Sequence, residues 1–315
     1  MKEILVSTIT PCFRMKPYLK KFLEELPNQT MFDQLEIVLD HNEPDEEEIS
    51  WVKDFQQKYP NRIKQIIVNP VEVIGASMNR CIKEASGKYV TIWNVDDLRT
   101  ANSIESQVKA IEEKNADIAI GDYKIVRRFG EKEYGKIVEH RNVPESEFKR
   151  SMYFGPFVMF KKSLCDKAGY FDEQLTSGAD FDLSIRLAYN GKVAVADDLL
   201  GYYLNEGKGA STRPDSKQAL DKAIILLRYG IFDKVDLSFV PKLINYSIPQ
   251  IISFGSEHRV ETFIPGYKNV ISDNLKNFNS SLYRSALSEF FMYKKIKSFL
   301  KTKLKRIYLN VNKNF

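Results

Sequence analysis

The chain has 315 residues, enough for about two domains at ~150 residues each. Hydrophobic residues make up 43% and charged residues 28%, which suits a folded protein with a sizeable core and excludes a disordered, collagen-like or disulfide-scaffold chain. The formal net charge is +5, but residues 293–313 hold eight Lys/Arg and no acid, so the remainder is mildly acidic. That distribution argues against a nucleic-acid-binding body and for a negatively charged surface as partner of the tail.

The first hundred residues alternate strand and helix signals. Ile4–Ile9 reads as a first strand and not as a signal peptide, because the apolar stretch is short and lacks a small-residue cleavage site. Pro17–Leu26 follows as a helix, Leu35–Leu39 as a buried strand, and Asp45–Tyr59 as a helix with acids at its N-terminus. Ile63–Val68 is a strand, Ile74–Ala85 a helix closed by Gly87, and Lys88–Trp93 a fourth strand. This order implies a mostly parallel sheet covered by helices. Then come a helix at Ser103–Lys114, a strand pair at Asp117–Val126 and Tyr134–Glu139, and a strand at Phe157–Phe160. A helix at Asp180–Tyr189 and strands at Lys192–Ala196 and Gly201–Leu204 follow. From about Asp215 the signal is helical, most clearly in the apolar stripe of Ser281–Leu309. Cys12, Cys81 and Cys165 are far apart in the chain and read as reduced thiols, which implies a cytoplasmic protein.

No GxGxxG follows the first strand, and the chain has no P-loop, nucleophile elbow or HExxH. Three histidines leave little room for His-based catalysis. Two acidic clusters remain. In Trp93–Asp97 (WNVDD), Asn94, Asp96 and Asp97 sit at the C-terminal end of a strand, where open α/β sheets bind ligands. The adjacent carboxylates suit a divalent cation, or form a solvated turn. In residues 177–182 (SGADFD), Asp180 and Asp182 open a helix and cannot share one face. One can face a cleft while the other meets Arg186 one turn on. Asp180 is a general base or a helix cap.

Taken in order, five segments over roughly residues 3–205 resemble the inverting family-2 glycosyltransferases with a GT-A fold, of the bacterial cell-surface polysaccharide type. They are ILVSTITPCFRMKPYLKKFLEELPNQT, EIVLDHNEPDE, GASMNRCIKEASGKYVTIWNVDD, ADIAIGDYKIV, and the stretch from GPFVMFKKSLCDKAGYFDEQLTSGADFD to GYY. The resemblance implies a Rossmann-like mixed sheet at residues 1–210, with a nucleotide-sugar half (1–100) and an acceptor half (101–210). A helical, basic extension would occupy 211–315. It also implies that Pro11, Phe13, Asp40, Asn79, Arg80, Asn94 and Asp96 meet a nucleotide sugar. Asp96 and Asp97 would hold Mn2+ or Mg2+, and Asp180 would be the catalytic base. The donor would be a nucleoside-diphosphate sugar, foremost a UDP-sugar, and the acceptor a glycan or lipid-linked sugar. Residues 293–313 would give peripheral contact with the inner membrane face. A homo-oligomer would be compatible with this, and nucleic acid would not be a partner. Four positions depart from the family pattern: His41, Asn94 and Ala179 stand where acids are usual, and Asn205 where a histidine is. A catalytically inactive domain that binds glycans or a partner is the alternative those departures allow.

Overall fold

A computed structural model describes residues 3–140, 143–207, 217–231, 234–236, 242–243 and 246–276. The basic stretch 293–313 and the Ser281–Leu309 stripe lie outside the described residues. The first half runs β1 (Val6–Phe13), α1 (Lys16–Glu25), β2 (Leu35–Asn42), α2 (Glu46–Lys58), β3 (Ile63–Val68), α3 (Ile74–Glu84) and β4 (Tyr89–Ile92). Next come β5 (Leu98–Arg99), α4 (Ser103–Glu113), β6 (Ile118–Ile120), β7 (Tyr123–Val126) and β8 (Lys136–Val138). They are followed by α5 (Glu145–Phe148), β9 (Met159–Lys161), α6 (Cys165–Ala168), α7 (Ala179–Asn190), β10 (Val193–Val195) and β11 (Gly201–Leu204). Last come α8 (Gln218–Arg228), β12 (Gln250–Ser253), β13 (Ser256–Arg259) and α9 (Tyr267–Lys276).

Seven strands form the main sheet in the order β10-β6-β9-β4-β1-β2-β3, and β9 is antiparallel to both of its neighbours. A smaller sheet, β5-β11-β7-β8, lies beyond the C-terminal end of β4. β1 is central because it can be buried on both faces. Val6 and Ile9 are fully buried, and its polar residues find partners: Thr8 and Thr10 hydroxyls meet at 2.8 Å. The Ser7 hydroxyl donates to Glu36 at 2.6 Å, and Glu36 also accepts from the Ser86 N–H and hydroxyl. Burial pushes the Glu36 carboxyl up, but these donors and Lys64 outweigh it and hold it below the usual range. Gly87 is not the cap of α3, which ends at Glu84. It sits so close to β1 that a Cβ would lie 2.7 Å from the Ser7 nitrogen.

α7 is fixed by a buried charge network. Asp182 pairs with Arg186 one turn on, at 2.7 Å, as the spacing predicts. Arg228, on α8, reaches Asp182 at 2.6 Å and Asp172 at 2.8 Å, and the Tyr229 hydroxyl donates to Asp182 at 2.8 Å. All five side chains are fully buried. The remaining guanidinium N–H groups reach the carbonyls of Ala168, Tyr170, Ile248 and Gln250. Around this network, Ile224, Ile225 and Leu226 of α8 share one core with Leu183, Ile185 and Leu187 of α7.

The region after 211 therefore differs from a purely helical extension. The hairpin β12–β13 interrupts the helices, since Ile251 and Ser253 alternate inward, and α8 packs directly on α7. Cys12, Cys81 and Cys165 are separate, buried and free. No helix among the described residues is long and apolar enough to cross a membrane. Arg228→Met would leave Asp172 and Asp182 short of a counter-charge inside the core. Losing one partner of a buried pair costs about 3–5 kcal/mol, and a urea titration should show a matching fall in the unfolding midpoint.

Candidate functional site

β1 and β2 run past the end of β4. The last β1–β4 pair is Ile9–Ile92, whereas β1 continues beside β2 to the pair Phe13–Asn42. This step leaves a crevice at the strand ends, with the Trp93–Asp97 turn across it. Pro11 lies two residues past the last β4 pairing, where its missing N–H breaks no bond to β4. Pro11 and Phe13 are both half-buried, and the Arg14 guanidinium lies 4.8 Å from the Phe13 ring centre. Asp40 is paired with Pro11 in register and is fully buried. Its two oxygens accept from Asn42 and from Arg80, each at 2.7 Å. Arg80 also pairs with Glu72 and remains partly exposed, so the cation and not Asp40 is the part a ligand can reach. These contacts outweigh the effect of its burial and raise its proton affinity further.

Asn79 faces elsewhere. It is fully buried, and its amide donates to the Phe171 carbonyl (3.0 Å) and to Glu173 (2.9 Å) while accepting the Phe171 N–H (2.8 Å). It ties α3 to the segment before α7. The neighbours Asn79 and Arg80 thus point to different tasks, as successive helix positions do.

The acidic turn divides its labour. Asp97 is buried at 1% exposure, and both oxygens are engaged: one accepts the Leu204 N–H of β11 at 3.0 Å, the other the Asn94 amide at 3.1 Å. Burial, reinforced by Asp96, pushes its carboxyl well above the ordinary range. The Trp93 indole N–H donates to the Asp97 carbonyl at 3.1 Å. Asp97 is therefore built into the turn. Asn94 gives an amide N–H to Asp97 and is itself half-buried. Arg99, below the turn, binds the Ile92 carbonyl at 2.8 Å and the Thr91 hydroxyl at 2.7 Å.

Asp96 is the half-exposed acid. Its carboxyl is raised chiefly by burial and further by the charge of Glu206, which follows β11. Glu206 also accepts from the Tyr18 hydroxyl at 3.2 Å. Two acids close enough for the charge of one to raise the other's carboxyl are an arrangement that suits a divalent cation. Among the described residues no group of three or more His, Cys, Asp or Glu is placed to hold a metal. Sequence reasoning missed Glu206. The signal was present one residue away, at Asn205, where a different ligand was sought. His41 is buried at 1% exposure against Gln65 and Glu48, and Ala179 is buried, so neither faces the crevice.

Asp180 is the second residue of α7 and half-buried. One oxygen accepts the Phe181 N–H at 2.8 Å. Burial is the main reason its carboxyl is pushed up to about 6, and the like charge of Asp221 adds to it. The described contacts do not link it to Asp96 or Asp97.

The family model for glycosyl transferase family 2 matches residues 7–169. An uncharacterized glycosyltransferase of Methanocaldococcus jannaschii is 30% identical over 217 residues, 64% of this chain and 71% of that protein. The poly(ribitol-phosphate) beta-N-acetylglucosaminyltransferase TarP of Staphylococcus aureus is 29% identical over 168 residues, about half of each chain. Among solved structures, S. aureus TarS 1–349 in complex with UDP-GlcNAc superposes with a TM-score of 0.58 at 16% identity, covering 95% of this chain and 92% of that one, a likeness of fold.

Because Asp180 binds its proton more tightly when folded, its contribution to stability is full below pH ~4 and is lost as pH rises through about 6. Asp180→Asn should remove a loss of roughly 2–3 kcal/mol across that window, measured as the difference in urea midpoint between pH 4 and pH 7.

Proposed function

The chain belongs to glycosyl transferase family 2, and we propose that its crevice transfers a sugar, with inversion, from a UDP-sugar to a hydroxyl of a cell-surface polymer. The observation that carries this reading is Asp180: a half-buried carboxylate at a helix start, its proton affinity raised to about 6. A group of that strength is ionised at neutral pH and still basic enough to help a hydroxyl attack. The relatives support the substrate class, because TarP is a poly(ribitol-phosphate) N-acetylglucosaminyltransferase and the TarS structure holds UDP-GlcNAc.

In this reading Phe13 offers its ring to the base, Pro11 shapes the same wall, and Arg80 faces the nucleotide from its anchor on Asp40. Asp97, Asn94 and Arg99 hold the turn that presents Asp96. Asp96 and Glu206 would hold a Mn2+ or Mg2+ ion, whose chemistry is to neutralise the diphosphate as it leaves. Asp180 accepts the proton of the acceptor hydroxyl. The hydroxyl oxygen forms its bond to the anomeric carbon while the bond from that carbon to the diphosphate oxygen breaks, and UDP departs with that electron pair.

UDP release from UDP-N-acetylglucosamine with poly(ribitol phosphate) tests the reading. Asp180→Asn should lower kcat by about 10²–10⁴-fold and leave donor affinity nearly unchanged; near-normal turnover overturns the role. The acidic limb of kcat should centre near 6, activity falling as pH drops and Asp180 is protonated. The metal assignment has its own readout. UDP with Mn2+ should raise the melting temperature of the wild type, and Asp96→Ala should abolish the Mn2+-dependent part of that shift.

A further inference from the structure

Asp221 lies on α8, outside the residues that the family model matches. It is fully buried. Its Oδ2 accepts the Thr176 N–H at 2.8 Å, the Ser177 N–H at 2.6 Å and the Thr176 hydroxyl at 3.3 Å. Its Oδ1 is buried with no hydrogen-bond partner among the described residues. The next residue, Gly178, leaves no room for a side chain: a Cβ there would lie 2.9 Å from the Asp221 Cβ. Gly178 is the N-cap of α7, and Asp180 follows two residues on.

A buried carboxylate with one oxygen unsatisfied costs folding free energy, whereas a neutral acceptor could bind the same two N–H groups more cheaply. The charge therefore calls for an explanation beyond packing. We propose that Asp221 is a positioning residue for the transfer step, a carboxylate on α8 that fixes the 176–178 turn and with it the aim of Asp180. The inference rests on the reading of Asp180 as the base. It makes α8 part of the active machinery, since the α8 charge reaches the α7 base through one turn.

The charge has a second effect. Asp221 adds to the proton affinity that burial gives Asp180. The other charged groups packed here are committed elsewhere. Asp172, Asp182, Arg186 and Arg228 neutralise one another, and Glu173 binds Asn79 and the Phe254 N–H. Lys217 and Lys222 of the α8 region are exposed.

Three variants of the full chain decide the matter, with kcat for UDP release from UDP-N-acetylglucosamine, its pH profile, and UDP affinity by calorimetry. Asp221→Ala should lower kcat at least about tenfold with the UDP Kd within about twofold, the split that marks a loss confined to the reacting state. Asp221→Asn keeps an acceptor oxygen for the two N–H groups. It should retain most of kcat at pH 8 and move the acidic limb to lower pH, which a merely structural role would not do. Wild-type kcat in Asp221→Ala with an unmoved limb in Asp221→Asn overturns the inference. So does a parallel fall of kcat and UDP affinity in both. Should Asp221→Ala not fold, the limb of Asp221→Asn alone decides. Asp180→Asn in the same series separates the two readings: full turnover there removes the base itself, whereas an inactive Asp180→Asn beside unaffected Asp221 variants removes only the positioning role.

Discussion

The ion pairs at the heart of the second half are the constraint on which its arrangement depends. Arg228 is buried against both Asp172 and Asp182, and Asp182 is buried against Arg186 as well. Taking such charges from water costs several kcal/mol each, so the network forms only when every partner is in place. Its partners come from α7, α8 and the loop before α7, and its carbonyl acceptors from α6 and the start of the β12–β13 hairpin. The angle at which α7 enters the core is therefore set by electrostatics as much as by apolar packing. Asp180, two residues from Asp182, inherits that angle. Burial gives one carboxylate of this helix its counter-ions and gives the other a raised proton affinity.

Much of this was legible in the chain. The alternation of apolar strands and amphipathic helices over residues 4–93 corresponds to β1 to β4 with their three helices, because a parallel sheet needs both a continuous apolar run and a crossover helix. The pairing of Asp182 with Arg186 follows from helical spacing alone. Other features were not legible, for physical reasons. Gly87 looked like a helix cap because caps and close approaches both favour glycine, and only the distance to Ser7 separates them. Asn79 and Arg80 looked equivalent as neighbours in a motif, but one polar side chain is turned into the core and the other to the crevice. That Asp97 is buried in its turn could not be seen either, because charge is visible in a sequence and burial is not.

The C-terminal region was the least legible. The signal from about Asp215 onward is helical, and Gln218–Arg228 is a helix, but the sequence could not show that Asp221 and Arg228 of that helix have partners some fifty residues upstream. Long-range polar contacts carry no local periodicity. The hairpin at Gln250–Arg259 is short and its outer strand Ser256–Arg259 fully exposed, so it has almost no apolar alternation to read.

The Trp93–Asp97 turn is wired to itself and to β11 by the indole N–H, the Asn94 amide and the Leu204 N–H. Its shape is thus settled when the chain folds, not when a ligand arrives. The conformational entropy of aligning Asp96 is spent once, in folding, and is not subtracted again from each binding event. The same bond that closes the turn holds the end of β11, two residues before Glu206. A single buried carboxylate therefore ties the turn that carries Asp96 to the strand that leads to Glu206, two acids more than a hundred residues apart in sequence.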